Sequence, residues 1–153
     1  MIYIVDGPDG AGKDLLCSIL QKSTGYEVKH LSHDNYERPF NRDLYLSLLD
    51  TDNVIYNRFH FSEIVYARVK NRLSDIDSND VAAIEDVIKQ KNVVVIYVTN
   101  ALSILAKRTK SRGETFVNAY ELKIALQSYE FVMNKDFISK ITMNLPEAVI
   151  NAL

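Results

Sequence analysis

Lys13 is the residue around which the chemistry of this sequence gathers. It sits in Gly7-Pro8-Asp9-Gly10-Ala11-Gly12-Lys13-Asp14, after the apolar run Ile2–Val5 and before the helical pattern Leu15, Leu16, Ile19, Leu20. Strand, glycine-rich loop, helix, with the spacing G-x-x-x-x-G-K, is the phosphate-binding P-loop arrangement. Glycines let successive backbone N–H groups turn inward onto phosphate oxygens. The helix start adds unpaired N–H groups and partial positive charge. Lys13 then reaches the outer phosphates of a nucleoside triphosphate. The expected nucleotide-binding set is Gly7, Asp9, Gly10, Ala11, Gly12, Lys13 and Asp14. The pattern calls for Ser or Thr after the lysine, as a neutral hydroxyl ligand to magnesium, and this chain has Asp14 instead.

Other residues could work beside the loop. Arg58 follows the apolar run Val54-Ile55-Tyr56 and Asn57. At the C-terminal end of a parallel strand it stands where ligands bind in an open sheet, or else makes a surface ion pair. Tyr36, Arg38 and Phe40 form an aromatic–cation–aromatic set in a loop marked by Asp34-Asn35 and Pro39. Such a set could clamp a base or a monophosphate, or its aromatics could anchor the loop on the core. Lys107, Arg108, Lys110 and Arg112 precede Gly113, with Arg108 and Arg112 on one helical face. Their plainer reading is a solvated helix end favoured by the macrodipole. His30, His33 and His60 lack metal-ligand spacing and read as core or hydrogen-bonded histidines. Cys17 reads as small helix packing, since no base lies near it.

Alternating strands and helices must position these groups. Strands are expected at 2–6, 26–31, 53–57, 92–98 and 137–143. Helices are expected at 12–24, 42–50, 59–73, 81–90, 101–110, 116–135 and, from Pro146 onward, 145–153. The run Val93–Val98 is the strongest strand and reads as central. Residues 74–80 read as polar loop, with Asp77 or Ser78 as N-cap. Gly25 ends the first helix as a C-cap residue. In the long late helix, Tyr120, Ile124, Tyr129 and Val132 are expected to face inward. This alternation implies a parallel sheet with right-handed crossovers.

Composition narrows the partners. With 153 residues one domain is expected, spanning 1–153. A net charge of −2 offers no global basic field, so nucleic acid is not an expected partner. One cysteine cannot form an internal disulfide, which points to a reducing compartment, the cytoplasm. No apolar run approaches the ~18 residues of a membrane span, and Met1 leads into the first strand without a basic leader.

The stretch Asn57-Arg58-Phe59-His60-Phe61-Ser62-Glu63-Ile64-Val65-Tyr66 carries a more specific signal. It resembles the thymidylate kinase family, whose corresponding stretch is Asp-Arg-Tyr, then a Ser, then an aromatic four positions on. Arg58, Phe59, Ser62 and Tyr66 fall on those positions. Asp9-Gly10-Ala11-Gly12-Lys13 matches the family's P-loop as well. The resemblance implies a five-stranded P-loop α/β/α sandwich of strand order 2-3-1-4-5. It implies magnesium-ATP-dependent phosphorylation of a deoxynucleoside monophosphate, deoxythymidine monophosphate or a related pyrimidine nucleotide. Arg58 would contact the phosphates being bridged, and Asp9 the acceptor's sugar hydroxyl or a phosphate-bound water. Tyr36, Arg38, Phe40, Phe59, Ser62 and Tyr66 would complete the acceptor side. A lid around 107–116 would bring Arg108 and Arg112 over the donor phosphates. Relatives often pair through helices flanking the acceptor site, which leaves a homodimer open.

Two magnesium positions depart from that family together. The acid before the strand-end arginine is the neutral Asn57, and the P-loop hydroxyl is the anion Asp14. Either the two compensate, with one carboxylate moved from strand end to helix start beside Asp6 and Asp9, or the protein binds nucleotide without turnover. Phosphorylation of a nucleoside or of a modified DNA base is the remaining enzymatic alternative.

Overall fold

The computed structural model describes residues 1–32, 39–113, 118–134 and 139–145. Five strands form one parallel sheet in the order β2-β3-β1-β4-β5: β1 (Ile2–Asp6), β2 (Glu27–His30), β3 (Val54–Asn57), β4 (Val93–Val98) and β5 (Lys140–Met143). This is the expected order. β1 is nearly sealed on both faces, with Ile2, Ile4 and Val5 at most 2 % exposed, as a central parallel strand requires. β4 is also interior, between β1 and β5.

Helices α1 (Lys13–Thr24), α2 (Arg42–Leu49), α3 (His60–Val69), α4 (Ser78–Gln90), α5 (Leu102–Ser111) and α6 (Ala119–Met133) connect and flank the strands. α1 packs on β1, β2 and β3, while α3 lies against α6 and α2 against α4. Gly25 ends α1 as expected, its N–H donating to Gln21 O at 2.8 Å. Asp77 caps α4 in a reciprocal capping box with Asp80, so the helix starts at Ser78 and takes in the end of the expected 74–80 loop.

α3 ends at Val69 rather than running to residue 73. Asn71 adopts φ +48°, and Arg72 turns back to grip Glu63 with both guanidinium arms, at 2.7 and 2.8 Å. α3 is buried nearly all round, with Arg68 exposed. α6 starts at Ala119 behind an Asn118–Glu121 capping box. Tyr129 and Val132 face inward, whereas Tyr120, expected inward, is 73 % exposed on the first turn. The expected start of the last strand at 137 and the closing helix from Pro146 lie outside the described residues, as do Tyr36, Arg38 and His33.

The registers bring chemistry to one edge. Val5 pairs with Asn57, and Asp6 with Tyr97. The P-loop, Asn57 and Arg58 therefore emerge side by side at the C-terminal ends of the central strands, where an open α/β sheet binds its ligands.

Candidate active site

The loop between β1 and α1 is pressed against the sheet and α5. A Cβ at Gly7, where φ is +153°, would fall 1.9 Å from Val98 O. One at Gly10, where φ is +84°, would fall 2.9 Å from Leu105 O. No other residue fits either place. Lys13 is buried and donates to Pro8 O at 2.9 Å, so the loop closes over its own lysine. Burial, and then the nearby Arg58 guanidinium, bring the Lys13 ammonium down from 10.5 to about 8, against the pull of Asp9, Asp6 and Asp14. A buried cation that costs this much to keep charged is one an anionic ligand would stabilise.

Asp6 is the fastening behind the loop. Fully buried, its carboxylate accepts from Gly7 N at 2.9 Å, Phe59 N at 2.9 Å, Ser62 N at 3.3 Å, Ser62 Oγ at 2.6 Å and Tyr129 Oη at 2.8 Å. One side chain thus ties β1 to the start of α3 and the middle of α6. Sequence reasoning placed Asp6 among the carboxylates near the metal; its oxygens are instead committed to the fold. An acid closing a buried strand was legible, but the role needed Ser62 and Tyr129 to be seen beside it.

Arg58 stands opposite Lys13. Its backbone is left-handed, at φ +73°, with its N–H bound to Val5 O at 2.9 Å. This unusual conformation for an arginine sits where functional sites concentrate backbone strain. The guanidinium pairs with Asp9 Oδ1 at 2.5 Å, donates to Ser62 Oγ at 3.3 Å and lies 5.0 Å from the Tyr66 ring centroid. Burial raises the Asp9 carboxyl, but Lys13 and Arg58 outweigh it and the net shift is downward. Asp9, Arg58, Ser62 and Tyr66, expected on the acceptor side, are therefore together.

Phe59 is not with them. It is 1 % exposed, inside an aromatic cluster with Tyr45 and Tyr56, and its backbone N–H rather than its ring serves the site through Asp6. Phe40 is 3 % exposed and stacks on Tyr45, which fits its loop-anchoring alternative. His60 is fully buried against Glu85 at 3.1 Å, in keeping with a hydrogen-bonded core histidine. Cys17 is buried, and burial followed by Asp14 pushes its thiol up to about 12, which removes it as a nucleophile.

The two departures from the expected magnesium pattern meet. Asn57 Nδ2 donates to Asp14 Oδ1 at 2.6 Å, across 43 positions of sequence. Asp14 is exposed and Asn57 is 3 % exposed.

The two arginines expected over the donor phosphates part company, and residues 114–116 of the expected lid lie outside the described residues. Arg112 is exposed at the end of α5. Arg108 is 8 % exposed, turned under the P-loop, donating to Gly10 O at 3.2 Å and Leu145 O at 2.8 Å. Helical spacing could not separate them, because the difference comes from what α5 packs against. A cleft of about 560 Å³ between α3 and α4, lined by Ile64, Ile76, Val81, Glu85 and Lys89, holds none of the P-loop residues.

No protein-family model matches the chain. The SPbeta prophage-derived uncharacterized protein YorR of Bacillus subtilis (strain 168) is 30 % identical over 136 residues, covering 87 % of this chain and 82 % of YorR. The crystal structure of Bacillus subtilis YorR in complex with phosphorylated GDP superposes with a TM-score of 0.80 at 28 % identity, over 94 % of this chain and 85 % of that one. Deoxyadenosine kinase from M. mycoides with bound dCTP gives a TM-score of 0.65 at 20 % identity, over 99 % and 96 % of the two chains. Thymidylate kinase from Candida albicans gives 0.61 at 16 %, over 92 % and 82 %. The last two share the fold, the P-loop kinase α/β architecture with strand order 2-3-1-4-5. The extent and identity of the match to YorR go further: this chain belongs to the YorR family.

Proposed function

We propose that this protein is a nucleotide kinase that transfers the γ-phosphoryl group of ATP to a deoxynucleoside monophosphate, deoxythymidine monophosphate or a related pyrimidine nucleotide. The observation that carries the proposal is the meeting of Asp9 and Arg58 at the mouth of a P-loop whose lysine is buried and costly to keep charged. An acceptor phosphate oxygen attacks the γ-phosphorus, the bond from that phosphorus to the β–γ bridging oxygen breaks, and the diphosphate leaves. Such a transfer needs little covalent help from the protein; it needs cations and N–H donors fixed around a charged, in-line arrangement.

Lys13 and the loop N–H groups hold the donor phosphates. Arg58, steadied by Ser62 and the Tyr66 ring, faces the phosphate that receives the group. Asp9 supplies the acceptor for a sugar hydroxyl and keeps Arg58 aimed until the phosphate takes over. Arg112, exposed at the end of α5, is the lid cation. The protein is a single domain.

Magnesium fits the residues present. Asp14 offers an exposed carboxylate at the start of α1, and Asn57 Oδ1 is a buried oxygen with no hydrogen-bond partner among the described residues. Carboxylate and amide oxygens suit a hard divalent cation. When bound, the ion would neutralise charge on the donor phosphates.

A second reading, nucleotide binding without turnover, is favoured by the hydrogen bond that engages Asp14 with Asn57. Coupled ADP-release assays across deoxynucleosides and deoxynucleoside monophosphates, with and without magnesium, test both. Magnesium-dependent turnover of a pyrimidine monophosphate is the expected result. Turnover of nucleosides alone overturns the acceptor, and ATP binding without turnover on any acceptor supports the second reading.

A further inference from the structure

We infer that Asp14 and Asn57 form one exchanged cation-holding unit, in which the single carboxylate stands on α1 and the amide on β3 keeps the site in shape when no cation is present. The inference rests on the P-loop reading above and deepens it.

The orientation of the amide follows from chemistry. Asn57 Nδ2 lies 2.6 Å from Asp14 Oδ1. Reversing the amide would set its oxygen against the carboxylate, two acceptors face to face, so the amide nitrogen points at Asp14. The carbonyl end is left over. Asn57 Oδ1 is buried and has no hydrogen-bond partner among the described residues, an arrangement native structures rarely leave unfilled. Beside it, Asp14 is exposed on the first turn of α1 and accepts, among the described residues, from a single side-chain donor that lacks a full charge. A hard divalent cation, Mg²⁺ or Mn²⁺, is the ligand for which a carboxylate and a buried amide oxygen are both suitable.

Charge explains why the two positions differ as a pair. Two acids at hydrogen-bond distance could not both ionise without a cation between them, and one would take up a proton. A hydroxyl facing an amide would bring no negative charge. Asp14 with Asn57 keeps one carboxylate and one neutral oxygen, and adds a donor that holds the carboxylate still. The resulting site is formed before the ion arrives, because Asn57 satisfies Asp14 in its absence.

The test uses wild type, Asp14→Ser, Asn57→Asp and the double variant Asp14→Ser/Asn57→Asp, with circular dichroism to show that each is folded. Mn²⁺ alone is titrated and followed by electron paramagnetic resonance, and thermal midpoints are measured with Mn²⁺ and with chelator. Asp14→Ser is expected to weaken Mn²⁺ binding at least tenfold. The double variant is expected to return to within threefold of wild type, since it again has one carboxylate and one neutral oxygen. Asn57→Asp is expected to bind Mn²⁺ at least tenfold more tightly, and to melt several degrees below wild type in chelator and not in Mn²⁺. The inference is overturned if Asp14→Ser binds Mn²⁺ as wild type does, if the double variant is no better than Asp14→Ser, or if the Asn57→Asp midpoint does not respond to the ion. Calorimetry of ATP with wild type in chelator separates the two levels. Loss of ATP binding removes the P-loop reading; retained ATP binding with an overturned Mn²⁺ pattern removes the exchange alone.

Discussion

Asp6 and Asp14 lie at the two ends of the same loop and do opposite work. Asp6 has no exposed surface and spends its carboxylate on donors from the loop, the start of α3 and the middle of α6. Asp14 is exposed and meets one amide. The back of the loop is built as interior, with Gly7 against Val98, Gly10 against Leu105 and Arg108 on the Gly10 carbonyl. The front sets the buried Lys13 ammonium, the Asp9–Arg58 ion pair and the exposed Asp14 carboxylate where a ligand can meet them. Substitutions behind the loop should therefore cost stability, and substitutions in front should cost binding and turnover.

The largest effect is expected at the front. Lys13→Met should lower kcat/KM at least ~10³-fold, the scale of losing a cation aimed at transferring phosphates. It should leave the ligand-free melting temperature unchanged or raised, because a buried ammonium is removed. A melting loss of many degrees would show that the lysine is also part of the fastening.

Asp6→Asn should do the reverse. It keeps the shape but replaces an acceptor-only carboxylate with a group that must turn a donor toward Ser62, Tyr129 or a backbone N–H. Leaving buried hydrogen-bonding groups mismatched costs about 3 kcal/mol. That corresponds to roughly 6–12 °C in a protein of this size, read by calorimetry. If turnover fell while melting held, Asp6 would belong to the front.

pH offers a comparison without mutation. The Lys13 ammonium titrates near 8 in the folded protein and near 10.5 when free, so between those values the unfolded chain binds more protons. Stability of the ligand-free protein should therefore rise with pH across that interval, by at most about 3 kcal/mol. A triphosphate holds the lysine charged, so its stabilising effect should shrink as pH climbs past 8. Denaturant titrations at pH 7.5 and 10, with and without inorganic tripolyphosphate, measure both slopes. Equal slopes would mean that the loop does not close on phosphate through Lys13.

The alternation of strands and helices was legible because it is written in local periodicity, while the strand order came from the family resemblance. β-branched runs marked β3 and β4, turn residues separated them, and G-x-x-x-x-G-K placed one strand–helix junction. Arg58 was legible for the same reason, as a charge ending an apolar run. What stayed hidden depended on distant partners. Nothing near Phe59 says that Tyr45 and Tyr56 enclose its ring. Tyr120 fits an inward helical position, yet it falls on an exposed first turn of α6. Asp14 and Asn57 each read as a departure from a motif, and only their 2.6 Å hydrogen bond makes them one feature.

Arg108 gives the smallest predicted effect and the sharpest test of where back meets front. Its guanidinium holds Gly10 O and Leu145 O, while Asn100 Nδ2 reaches Leu145 O at 3.4 Å. The arginine therefore fixes one side of the Gly10–Ala11 peptide, whose N–H bonds Pro8 O at 3.3 Å on the other. A brace of this kind presents the loop to phosphate without touching the reacting atoms. Arg108→Met should weaken ATP and inorganic tripolyphosphate equally, by about tenfold, or ~1.4 kcal/mol. kcat at saturating ATP should stay within threefold, and Arg108→Lys, whose point charge cannot span both carbonyls, should fail to rescue binding. If kcat fell ~10²-fold with KM unchanged, Arg108 would be acting on the transferring group, as a lid arginine does. If ATP weakened and tripolyphosphate did not, its partner would be the nucleoside, and the boundary between the two halves of the loop would run through α5.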